Sequence, residues 1–173
     1  MGFMDESSIQ LKPNKSRVVN TEQVTYSEGE SRSKTIFGFM ALDGNDVAMV
    51  SGKAKAGDMI SFLELIRKEN PDREICIVLD NARIHHASSV AEKAEELKIE
   101  FIYLPPYSPD LNPIEFGWKD MKRELAALLD FNLMVESSRE KALELFRQRK
   151  GSYSRQWIQT FMAECIAPIE IKS

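Results

Sequence analysis

The chain has 173 residues, 43% hydrophobic and 29% charged, which fits one domain with its own core; two domains of this total would each be marginal. No apolar run of about 18 residues is available to span a bilayer, and Asp5 and Glu6 fall where a signal peptide needs its apolar core. Cys76 and Cys165 form neither a disulfide framework nor a CxxC metal site, so a reducing, intracellular location is expected, and the formal net charge of −4 counts against a nucleic-acid partner unless basic residues gather on one face.

In chain order, residues 2–5 read as a short strand. The polar stretch that follows holds two short β-like pieces, residues 17–19 and 23–26. Residues 35–42 form a firmer strand that turns at Asp43-Gly44-Asn45 into a second one over 47–50, since an Asp-Gly step between apolar runs is a hairpin signal. Asp58 is placed to N-cap a helix carrying Met59, Phe62, Leu63 and Ile66 on one face, ending at Asn70-Pro71. The continuous apolar run 75–79 predicts a strand buried on both faces and ending in Asp80.

A helix is predicted from about His86 to Lys98 with Ala87, Val90, Ala94 and Leu97 inward, and residues 100–103 form the next strand. Residues 104–113 contain four of the seven prolines and form a stiff loop. A long helix runs from Pro113 to about Leu129, and two further helical stretches lie near 139–150 and 155–166. This order predicts an α/β domain, a mixed sheet flanked by helices, with its core over about 1–130 and C-terminal helices over about 138–167.

Three acids stand at element ends: Asp5, Asp80 and Glu115. Asp80 ends the buried strand, where ligands gather in open α/β sheets. Carboxylates from separate rigid elements suit Mg²⁺, and two ions about 3.5–4 Å apart serve phosphodiester chemistry. Each acid also has a structural reading. Asp80-Asn81 fits an Asx turn, and Glu115 fits the third position of a capping box behind Asn112 and Pro113. Asp5 and Glu6 alternate faces, so only one of them points into a site.

On the long helix, Ile114, Trp118, Met121, Leu125 and Leu128 form the core stripe, while Glu115, Lys119 and Lys122 share an adjacent face. That face suits either metal plus phosphate backbone or plain solvent. His85 and His86 are too few for a zinc site; one of them is placed to orient Asp80, contact DNA or pack at a helix start. Asn81 is placed either to bond a ligand carboxylate or to cap its turn. Trp118, Trp157, Phe161 and Tyr103 read as core, and Arg147 to Lys150 with Arg155 as a solvated helix end.

The strings Val78-Leu-Asp-Asn-Ala-Arg-Ile-His-His86 and Tyr103-Leu-Pro-Pro-Tyr-Ser-Pro-Asp-Leu-Asn-Pro-Ile-Glu115 resemble the DDE transposases of the mariner-related superfamily, its prokaryotic insertion-sequence members above all. Asp80 and Glu115 are separated by 34 residues, a spacing typical of that superfamily. The resemblance runs from about Gly2 to Leu129 and implies a ribonuclease-H-like fold. It places the catalytic, metal-binding acids at Asp80 and Glu115, with Asp5 in Phe3-Met-Asp-Glu-Ser7 as the first of the three.

The implied reaction is Mg²⁺-dependent hydrolysis of DNA at transposon ends, with Mn²⁺ as substitute and two ions, followed by attack of the freed 3′-hydroxyl on target DNA. Asn81 and His85 are then candidates to hold and orient the metal-binding acids, and Lys119, Lys122 and Arg123 to contact DNA. The implied location is cytoplasmic and nucleoid-associated, with room for a homodimer. Family members normally carry an N-terminal helix-turn-helix region, so recognition of terminal repeats is expected from a region this chain lacks. Two competing expectations are an inert remnant that binds DNA or dimerises, and a general nuclease of the same fold.

Overall fold

Alternation along the strands sets the architecture of the computed structural model, which describes residues 1–10, 33–128 and 130–165, the stretch 153–165 by its backbone alone. The strands are β1 (Gly2–Gln10), β2 (Ser33–Ala41), β3 (Val47–Ser51), β4 (Ile75–Leu79) and β5 (Ile99–Tyr103). They form one sheet in the order β3-β2-β1-β4-β5. β1, β2 and β3 are antiparallel neighbours, whereas β4 runs parallel to β1 and β5 parallel to β4. The helices are α1 (Ala56–Glu69), α2 (Ser88–Glu96), α3 (Ile114–Leu125) and α4 (Phe131–Cys165).

Successive strand residues point to opposite faces, and both faces are covered. Phe3, Ile36, Met40 and Val78 pack under α3 and α4 against Trp118, Met121, Leu145 and Phe146. Met4, Phe37, Ile77 and Leu79 pack on the other side against Met59, Phe62, Leu63 and Ile66 of α1 and Val90 of α2. This double burial is why β4 reads as an unbroken apolar run. No helix among the described residues is long and apolar enough to cross a membrane.

The structure departs from the sequence reading in several places. β1 continues to Gln10, paired with β2 from Gly2↔Ala41 to Gln10↔Ser33. Its polar centre hid it, because Asp5 and Glu6 have partners inside the protein. Asp58 sits in the third position of α1, not at its N-cap: its carboxylate accepts from the Lys55 amide at 3.1 Å and the Ser51 hydroxyl at 2.5 Å. The helix expected from His86 starts at Ser88 after a short 3₁₀ turn over Arg83–His86.

One helix, α4, replaces the two C-terminal stretches, because Gly151 weakens a helix without ending it. It starts early because the Asp130 carboxylate accepts from the Asn132 and Leu133 amides. Tyr103 is 37% exposed and does not belong to the core. The strand pieces over 17–19 and 23–26, and the side chains of Arg155, Trp157 and Phe161, lie outside the described residues.

Candidate active site

Two of the three acids are brought together by strand register. β1 and β4 pair Gly2↔Ile77 and Phe3↔Val78, so the same parallel register carried two residues further sets Asp5 beside Asp80. Adjacent strands lie about 4.8 Å apart. The third acid arrives with α3. The buried Asn112 side chain donates to the Met4 carbonyl at 3.1 Å, tying the start of α3 to β1 next to Asp5. One turn into the helix, the Trp118 indole N–H donates to Asp5 Oδ2 at 2.9 Å.

Asp5 therefore faces α3, on the side from which Glu115 enters, while Glu6 points through the opposite face and meets His85 Nε2 at 2.9 Å. Burial, and then the negative charges of Glu115, Glu6 and Asp80, push the Asp5 carboxyl up to about 8. Glu115 is raised too, by burial first and by Asp80, against the pull of Lys122. The three acids thus sense one another's charge.

The structural readings of these acids now separate. Glu115 does not close a capping box: the Asn112 amide donates to the Pro109 carbonyl, and no hydrogen bond to the Glu115 carboxylate is found among the described residues. Asp80 does form the Asx turn, accepting from the Ala82 amide at 2.9 Å, but through Oδ1 alone. The same oxygen meets His85 Nδ1 at 3.0 Å, which holds Asp80 below its ordinary value, and no partner of Oδ2 is found among the described residues.

His85 is fully buried, and both of its ring nitrogens face oxygen acceptors, Glu6 on one side and Asp80 on the other. Burial by itself would depress its pKa; the bonds to Asp80 and Glu6 outweigh that and push it up to about 10. Both ring nitrogens are thus placed to donate, Nδ1 to Asp80 and Nε2 to Glu6.

Asn81 behaves differently from the carboxylate-bonding reading. Successive residues diverge, so its side chain turns to β5, donates to the Leu104 carbonyl and meets His86 Nε2 at 3.2 Å. His86 stacks on Tyr103 with ring centroids 4.4 Å apart, and the Tyr103 hydroxyl donates to the His85 carbonyl. Lys119 and Lys122 are exposed along α3. Arg123 is tied to Asp120 at 3.1 Å, and Asp120 also pairs with Arg149 of α4. Lys150 packs against the β2–β3 turn, bonding the Gly44 carbonyl and Asp46, so this end of the basic run is not simply solvated.

Sequence reasoning missed Gly38, which lies opposite Asp5 in β2. A Cβ there would come within 2.4 Å of the Trp118 ring and 3.1 Å of Phe146. Only glycine leaves room for the indole that holds Asp5. A glycine inside a strand signals close approach of this kind. Gly38→Ala is expected to cost about 1–3 kcal/mol by overpacking and to release Asp5 from Trp118; chemical denaturation followed by tryptophan fluorescence checks both, and an unchanged midpoint and emission would refute it.

The donor set fits a hard divalent cation. It is all oxygen, it comes from three rigid elements, and a cation would offset both the burial and the lesser repulsion that raise Asp5 and Glu115. Among the described residues no three acidic, histidine or cysteine side chains form a ready-made metal cage.

A mixed five-stranded sheet in this order with helices on both faces defines the ribonuclease-H-like class. Residues 1–132 match the DDE superfamily endonuclease family, and the chain belongs to it. Among solved structures, the Mos1 strand transfer complex aligns at 15% identity and TM-score 0.57, over 91% of this chain and 53% of that chain. The Mos1 transposase catalytic domain with raltegravir and Mg aligns at 15% identity and TM-score 0.58, over 91% and 82%. The HTLV-2 integrase catalytic core domain in complex with magnesium aligns at 13% and 0.50, over 82% and 81%. This chain therefore spans about half the length of the Mos1 chain in the strand transfer complex. At such identities the likeness concerns the fold. No curated protein sequence matches.

Proposed function

We propose that this chain is the catalytic domain of a DNA transposase in which Asp5, Asp80 and Glu115 hold Mg²⁺, or Mn²⁺ in its place, as two ions. Supporting the reading, Asp5 on β1, Asp80 at the end of β4 and Glu115 in the first turn of α3 lie within electrostatic reach, with no hydrogen bond to Glu115 or to Asp80 Oδ2 found among the described residues, in a chain of the DDE endonuclease family. When bound, such ions activate an attacking oxygen and stabilise the leaving one in phosphodiester cleavage.

The chain's own residues do the positioning. Trp118 fixes one oxygen of Asp5, His85 and the Ala82 amide fix one oxygen of Asp80, and Asn112 sets the start of the helix that presents Glu115. Lys119 and Lys122, with Arg123 beside them, offer charge to the phosphate backbone on the exposed side of α3. In this reading one strand is hydrolysed and its 3′-hydroxyl attacks target DNA. A second copy of the chain completes the assembly, at the nucleoid.

The test is calorimetric titration of Mn²⁺ into the protein together with nicking of supercoiled plasmid. Saturable binding and metal-dependent nicking are expected. A protein that neither binds Mn²⁺ nor nicks would leave an inert DNA-binding or dimerising module as the better reading, and preference for an RNA–DNA hybrid would favour a general nuclease.

A further inference from the structure

Tyr107 is 103% exposed, more than any other large apolar or aromatic side chain described, and its backbone has φ 60. A tyrosine is an unfavourable choice for that left-handed conformation, which glycine or asparagine adopts readily. Among the described residues no contact of the ring is found that would offset the cost. Lys98, the other such residue among those described, differs: it follows the C-cap Leu97 of α2, where a left-handed residue closes the helix.

The loop carrying Tyr107 is not slack. At one end the Leu104 amide donates to the Leu79 carbonyl at 2.8 Å, and at the other Asn112 bonds the Met4 carbonyl. These are the residues that precede Asp80 and Asp5. Residues 104–113 include Asp110 but no lysine or arginine, so the loop is unsuited to phosphate. It offers instead an aromatic face beside exposed Pro105 and Pro106.

We infer that Tyr107 is a stacking surface for an unpaired nucleobase of the DNA strand entering the carboxylate site. Within a duplex the base faces are already stacked, so an exposed aromatic in a loop without lysine or arginine suits a base that has left the stack, and stacking of this kind tolerates any sequence. The inference rests on the transposase reading and adds a contact that the acids and the α3 cations do not provide.

The experiment uses the full chain and an oligonucleotide with 2-aminopurine in a single-stranded overhang, comparing wild type, Tyr107→Phe, Tyr107→Gly and Tyr107→Asn. Wild type and Tyr107→Phe are expected to quench the probe. Tyr107→Gly and Tyr107→Asn should lose the quenching and bind about tenfold more weakly, within the range of one base–aromatic stack, with Tm equal to or above wild type. A glycine variant that binds and quenches like wild type overturns the inference, as does one whose Tm falls, since the ring would then be packing. Plasmid nicking separates the two failures: a wild type that nicks while all variants quench alike overturns this inference alone, and a wild type that neither binds nor nicks overturns the transposase reading with it.

Discussion

Asp80→Asn abolishes saturable Mn²⁺ binding and plasmid nicking while leaving the domain folded: this is the expected result with the largest effect on activity. Asparagine keeps an oxygen for the Ala82 amide and for His85, so the Asx turn survives. What it removes is a negative charge beside Asp5 and Glu115, both of which Asp80 raises. Loss of that charge relieves repulsion on Asp5 and Glu115 but weakens the pair with His85 that holds Asp80 below its ordinary value, so a modest fall in Tm with the fold retained is expected. The loss in metal affinity should exceed the roughly 10–100-fold that removal of an outer partner costs. Calorimetry and thermal unfolding in parallel decide the matter; undiminished Mn²⁺ affinity in the folded variant would sink the role assigned to Asp80.

The largest expected effect on stability belongs to His85→Ala. His85 is fully buried between Glu6, 12% exposed, and Asp80, 55% exposed. Removing it strands the Glu6 carboxylate, while solvent screens the loss at Asp80. A cost of about 3 kcal/mol, the lower end for breaking a buried pair, corresponds to a fall of roughly 6–12 °C in Tm for a domain of this size. As a positioning residue for Asp80, it should also cost about 10–100-fold in metal affinity.

The pH dependence has a definite sign. The folded pKa of His85 lies at about 10, above the unfolded 6.5. Its contribution is therefore full below pH 6.5 and fades as pH rises toward 10. In chelator, the Tm difference between wild type and His85→Ala should shrink across that window. A difference that stays constant from pH 7 to 10 would mean that packing alone, and not the charged clamp on Glu6 and Asp80, stabilises the wild type.

Most elements were legible because their signals are local. The hairpin of β2 and β3 announces itself in Asp43-Gly44, α1 in the spacing of Met59, Phe62, Leu63 and Ile66, and β4 in an unbroken apolar run. Asp80 and Glu115 were found through the strings around them, and the structure brings these acids within electrostatic reach of each other. Where local reading went wrong, a longer-range partner had intervened. The polar half of β1 is held by β2 across its whole length, and Tyr103 left the core because its ring lies on His86 and its hydroxyl on the His85 carbonyl.

By itself, then, the amino-acid order determined the strand and helix menu, the stiffness of the proline loop and the chemical kind of the candidate site, all of which depend on neighbours within a turn or two. Whether Asp5 or Glu6 faces α3, what holds each acid, and why β2 needs Gly38 were decided only by tertiary structure. Those answers lie in the bonds from His85 to Glu6, Asn112 to Met4 and Trp118 to Asp5, which span 79, 108 and 113 positions. No periodicity in a sequence carries information over such separations. They arise when sheet register and helix packing bring distant residues to one point, and burial then makes each of those few polar contacts costly to lose.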